Sequence, residues 1–162
     1  MRSRARAAVL LLALACLVPA APLAGQVVWG VHATRANEFG GGSWGGGVQL
    51  GLDVPVLPVS VLAAADYLFP DCGDAGDCSF WGGSLDANLA LPFPVVHPYA
   101  TGGLVYRHFD TGDDAEAIGK SGLALGLGVQ VSLLALKAYV EGRYEFVNAP
   151  DDQVVWRIGL HF

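Results

Sequence analysis

The sequence is poor in charge, and in positive charge above all. Asp, Glu, Lys and Arg make up 15% of its 162 residues, with nine Lys and Arg against fifteen Asp and Glu. A chain this acidic has no means of neutralising a phosphate backbone, which removes nucleic acid from its candidate partners. Long hydrophobic runs are missing as well. Beyond residue 25 there is no uninterrupted apolar stretch of about 18 residues, so a bundle of membrane-spanning helices is excluded. Cysteine is scarce, with three in the whole chain.

The first 25 residues stand apart. Arg2, Arg4 and Arg6 precede an apolar run over 7–18, and Pro19-Ala-Ala-Pro-Leu-Ala-Gly-Gln26 follows. A basic start, a short apolar run and a small-residue site form a secretory signal, expected to be cleaved so that Gln26 leads the mature chain. Cys16 lies inside the run behind Ala13-Leu14-Ala15, a poor lipobox. Removal of 1–25 leaves one domain over 26–162 with six cations against fifteen acids, a net charge of about −9. Export implies an oxidising compartment. The remaining cysteines, Cys72 and Cys78, flank Gly-Asp-Ala-Gly-Asp and are expected to clamp that loop as a disulfide.

What the sequence has in plenty is hydrophobicity, 53% of residues with a mean hydropathy of +0.45, and 22 glycines. Both are distributed with a period of two. Eight segments alternate, over 27–35, 44–53, 59–69, 80–91, 99–108, 122–131, 136–146 and 154–162. The sixth shows it best, with Leu123, Leu125, Leu127, Val129 and Val131 set against Gly122, Ala124, Gly126, Gly128 and Gln130. Alternation of about ten residues per segment suits strands with one face on lipid and the other in a lumen. It also suits a soluble β-sandwich, so other features decide. Connections after the second, fourth and sixth segments are short, while those after the others are longer and polar, including an acidic loop over 110–118. Trp44, Tyr67, Phe69, Trp81, Tyr106, Tyr144 and Phe146 fall on apolar faces near the long loops, as an interfacial aromatic girdle does. The predicted fold is all-β: an eight-stranded antiparallel up-and-down transmembrane β-barrel, preceded by a cleaved signal peptide.

The terminal Arg157-Ile-Gly-Leu-His-Phe162, with Trp156, Ile158, Leu160 and Phe162 alternating outward, resembles the assembly signal that closes bacterial outer-membrane proteins. Pro98-Tyr-Ala-Thr-Gly-Gly-Leu104 is similar to a recurring segment of OmpA-like eight-stranded barrels. The resemblance, which covers 26–162, implies a Gram-negative outer-membrane location and insertion by the outer-membrane assembly machinery.

The inward faces carry Asp53, Asp66, Asp86, Glu141 and Glu145 against Arg107, Lys137, Arg143 and Arg157, five acids and four bases. Charges enclosed in a narrow, low-dielectric barrel must be paired, so these nine are expected to plug the lumen as a salt-bridge network. The expected role is non-enzymatic, structural or surface-exposed, with outer-membrane lipids and lipopolysaccharide as surroundings and the chain acting as a monomer. A narrow channel or small-solute transporter through the same residues is the alternative. A lipid-modifying barrel enzyme is the second alternative. It needs a nucleophile and a base at the lipid-facing wall, and His32-Ala-Thr34 is the nearest approach, pointing instead into the lumen. His97, His108 and His161 are read as a turn, a strand end and the terminus. No cofactor or metal is expected. The acids Asp71, Asp74, Asp77, Asp110, Asp113, Asp114, Glu116, Asp151 and Asp152 match no defined calcium loop and are read as solvated; Arg35 stands where it would meet a lipid phosphate.

Overall fold

Along β1 (Gln26–Ala36) Val28, Gly30, His32, Thr34 and Ala36 are buried and the residues between them exposed. The same alternation runs through β2 (Ser43–Asp53), β3 (Val59–Phe69), β4 (Ser79–Ala90), β5 (Val96–Asp110), β6 (Ile118–Leu133), β7 (Leu136–Phe146) and β8 (Gln153–His161). In β8 the buried set is Gln153, Val155, Arg157 and His161, while Trp156, Ile158 and Leu160 face outward. A computed structural model describes residues 26–37, 42–54, 57–70, 78–110, 118–133, 136–147 and 152–162. The expected signal segment 1–25, Cys72 and most of the acidic loop residues lie outside the described residues.

Each strand pairs antiparallel with its sequence neighbours, and β1 also pairs with β8, so the sheet closes into an up-and-down barrel without free edges. Closure runs from Gly30 opposite His161 to Ala36 opposite Val155. The seam continues past the ladder: Phe162 N–H donates to the Trp29 carbonyl at 2.8 Å, Trp29 N–H donates back at 3.4 Å, and the two rings stack at 4.5 Å. The phase of every strand agrees with the period-two reading, because a slip of one residue would turn a leucine-rich face into the lumen.

Two strands exceed the segments of alternation by five residues or more. β5 has 15 residues and β6 has 16, with Val96 opposite Val131 and Phe109 opposite Ile118. His97, expected in a turn, therefore belongs to β5, and Asp110 and Ile118, expected in a loop, end the β5–β6 hairpin. Pro94 and Pro98 look like turn residues, yet a proline near the start of a strand is tolerated, and Pro98 sits opposite Val129. At the other end Ile118, Gly119, Lys120 and Ser121 are all exposed, so the two faces no longer differ and alternation carries no signal there.

The lumen takes the place of a core. At the end with the long connections, called the outer end, Ala36, Leu68, Phe80 and Val155 pack together with Phe109 against them, and Val105, Ala124 and Val147 form a second cluster. Further in, the inward side chains are mostly polar or charged, with Val28, Leu62 and Ala64 among them. Close packing needs small partners: a Cβ on Gly82 would stand 2.7 Å from both Cδ and Nη1 of Arg107, and one on Gly128 would overlap the Tyr99 ring.

Candidate functional site

Four carboxylates and three guanidinium groups meet in the middle of the barrel. Asp66 reaches in from β3, Asp86 from β4, Arg107 from β5, Glu141, Arg143 and Glu145 from β7, and Arg157 from β8; none is more than 5% exposed. β7 alternates charge with aliphatic and aromatic residues, so three charges share one face at spacing two.

Asp66 is the hub. Its Oδ2 accepts from Arg157 at 2.6 Å and from Arg107 at 2.9 Å, and His32 Nε2 lies 2.7 Å from Oδ1. Arg107 also grips Glu145 with two N–H groups, at 2.9 and 2.6 Å. Arg143 binds Asp86 through both terminal nitrogens at 2.9 Å, the bidentate geometry that suits a planar guanidinium. Arg157 Nη1 stands 3.7 Å from Asp86 and 3.9 Å from Glu141. Neutral donors fill in: Tyr99 donates to Glu141 at 3.1 Å, Gln153 to Glu145 at 2.6 Å, and Ser84 to Asp86 at 2.6 Å. The result is one connected lattice spanning strands from opposite walls.

The remaining two charges of the nine lie elsewhere. Lys137 Nζ donates to Asp53 Oδ2 at 3.1 Å near the inner end, and each side chain is 36% exposed. Around them the lumen widens into a cavity of about 380 Å³, into which Ser60, Asn88, His97, Tyr99, Gln130 and His161 project. His161 stacks on Tyr139 at 4.6 Å, contacts Gln49, and lies 3.3 Å from Gln130. Sequence reasoning missed this vestibule and the apolar lid. The lid had a signal in the phase, since Leu68, Phe80 and Val155 are apolar residues on the inward face.

On the outside, Trp44 stands opposite Phe69, and Tyr67 opposite Trp81. Tyr67 and Phe69 make an edge contact at 5.2 Å, Tyr144 and Phe146 one at 4.8 Å, and Trp81 leans on Tyr106 at 5.7 Å. The Arg35 guanidinium lies over the Trp44 ring at 5.2 Å. Between this band and the inner end the outward face is aliphatic, with Leu50, Leu85, Leu104, Leu125 and Leu127 all exposed. A closed barrel that turns its leucines outward and its charges inward is the inverse of a water-soluble protein, and its outer surface is suited to hydrocarbon.

No family model matches the sequence, and no curated protein matches it either. Solved structures do. The N-terminal β-barrel domain of Pseudomonas aeruginosa OprF superposes with a TM-score of 0.62 at 16% identity, over 85% of this chain and 98% of that one. Ail, the attachment invasion locus protein of Yersinia pestis, gives 0.58 at 18% identity, over 84% and 96%. Neisserial surface protein A gives 0.56 at 16%, over 83% and 92%. The chain has the eight-stranded outer-membrane barrel fold. In this fold strands do the crossing; among the described residues no helix is long and apolar enough to span a bilayer.

Of the other candidates in the outer-membrane barrel, His32 faces the lumen and is engaged by Asp66, while Thr34 donates to the Trp156 carbonyl at 3.5 Å. His108 packs outward on Trp81 at 5.0 Å. Cys78 is disulfide-bonded, and its expected partner Cys72 lies outside the described residues. Asp152 accepts from Tyr144 at 3.3 Å. Among the described residues no group of three or more His, Cys, Asp or Glu is arranged to hold a metal ion.

Proposed function

We propose that the chain is a resident, non-enzymatic barrel of the outer membrane whose lumen is closed by its own side chains, and which serves as a structural element or presents its acidic outer connections to the surroundings. The observation that carries this reading is the lattice around Asp66 and Glu145. Seven charged side chains, all nearly inaccessible to water, bridge walls that are not neighbours in the sheet, and an apolar lid lies above them. An ion passing through would have to break several charge-assisted hydrogen bonds at once. The aromatic band is the outer interfacial girdle, and the Trp29–Phe162 seam is the part of the assembly signal that locks closure. A lipid-modifying activity is disfavoured because His32 is turned inward onto a carboxylate, away from the lipid face.

Planar-bilayer recording of the refolded mature chain tests the reading. No discrete conductance steps are expected. Stable, voltage-independent openings would overturn the closed lumen and bring forward the narrow-channel alternative.

A further inference from the structure

The inner part of the lumen is not filled, and all eight strands contribute a side chain to its lining. The cavity has two unlike sides. On one side Val28, Leu57, Leu62 and Ala90 flank a polar strip of Asp53, Ser60 and Asn88, while His97, Gln130, Ser132, Lys137 and His161 make the other side polar. Lys137 and Asp53 line the same cavity and, unlike the charges above them, remain open to water. In the wall Asn88 is 8% exposed, and its side-chain oxygen has no hydrogen-bond partner.

We propose that this vestibule binds a small zwitterion of the amino-acid class, its ammonium on Asp53, its carboxylate on Lys137, and an aliphatic side chain against Val28 and Leu62. The chemistry follows from the pair. A half-exposed ion pair is held weakly, so it opens readily to a ligand that offers a counter-charge to each member. A simple anion or cation satisfies one member and strands the other; an uncharged solute satisfies neither. The volume lies at the lower end of small-molecule sites, roughly 300 to 1,000 Å³, which fits a single amino acid and not a chain. The apolar residues provide burial for the side chain.

The test is an NMR titration of the mature barrel in detergent micelles with L-leucine, and with isovalerate and isopentylamine, which each keep one of its charges. Saturable shifts are expected at the amides of Asn88, Lys137 and His161, with both analogues at least about ten-fold weaker, a difference of about 1.4 kcal/mol. Lys137→Gln removes the preference over isopentylamine and Asp53→Asn the preference over isovalerate, whereas Arg35→Gln on the outer wall changes neither. Absence of a saturable shift, equal binding of leucine and its analogues, or indifference to both vestibule variants would overturn the proposal. The analogue comparison on the unmodified chain stands even if a variant misfolds. The proposal uses the closed-lumen reading only to set the side of entry. Conductance would sink that reading and leave the titration standing; a blank titration would sink the site and leave the plug.

Discussion

Asp66 on β3 and Arg157 on β8 meet at 2.6 Å although two strands separate them around the wall and 91 residues separate them along the chain. Their contact is a strut across the lumen, and the same carboxylate also holds Arg107 and His32. Sheet hydrogen bonds fix each strand to its neighbours; struts of this kind fix the cross-section.

Removing the hub therefore costs more than one contact. Asp66→Ala takes from Arg157 its shortest ion pair and leaves Arg107 with Glu145 alone, and is expected to lower stability by about 3–5 kcal/mol. Asp53→Asn, at the half-exposed mouth, is expected to cost no more than about 1 kcal/mol. Urea unfolding in lipid vesicles, followed by tryptophan fluorescence, measures both, and similar values for the two would contradict the lattice.

Two glycines separate steric need from sheet propensity. A methyl on Gly82 would press on Arg107 and the Tyr106 carbonyl, so Gly82→Ala is expected to destabilise by roughly 1–3 kcal/mol. At Gly46 the nearest atom to an added Cβ is the His32 carbonyl oxygen at 3.4 Å, so Gly46→Ala is expected to be nearly neutral. The same unfolding assay ranks them.

Depth in the bilayer is read by arginine. Leu85 and Leu91 are equally exposed, at 53% and 52%, but Leu85 lies mid-strand below Trp81 while Leu91 follows the inner end of β4. Leu85→Arg is expected to cost about 2–4 kcal/mol and Leu91→Arg about 0–1 kcal/mol in vesicles. In a protein whose outer face met water the two would be alike.

The loop disulfide is expected to join Cys72 to Cys78, enclosing so few residues that its loss costs about 2 kcal/mol. Peptide mapping without reductant checks the pairing. On a gel the folded chain should migrate fast and shift to a slower band on boiling, with or without reductant; loss of the fast band on reduction alone would show that the loop clamp holds the barrel.

Strand phase was legible because lipid and lumen impose opposite demands on successive residues: Leu123, Leu125 and Leu127 have nowhere to go but out. The same logic set all nine lumen charges on inward faces. It failed where those demands end. Gly119-Lys120-Ser121 extend β6 into surroundings that treat both faces alike, and Pro98 conceals the start of β5. Partner choice was not legible either. That Arg107 takes Asp66 and Glu145 while Arg143 takes Asp86 depends on the stagger of eight strands, which no local pattern encodes. The vestibule escaped for the same reason, being a space left among residues far apart in sequence.

The division of the lumen into a dry, bridged part and a wet mouth has an electrical consequence. Water in the mouth is at the potential of the compartment it opens to, so a voltage applied across the bilayer falls almost wholly over the segment closed by Phe80, Arg107 and Arg157. The field there is steeper than the bilayer thickness suggests, and it acts on four carboxylates and three guanidinium groups that are bound to one another and cannot follow it. Lys137 and Asp53 stand outside that drop, so whatever they hold is insensitive to the sign of the voltage.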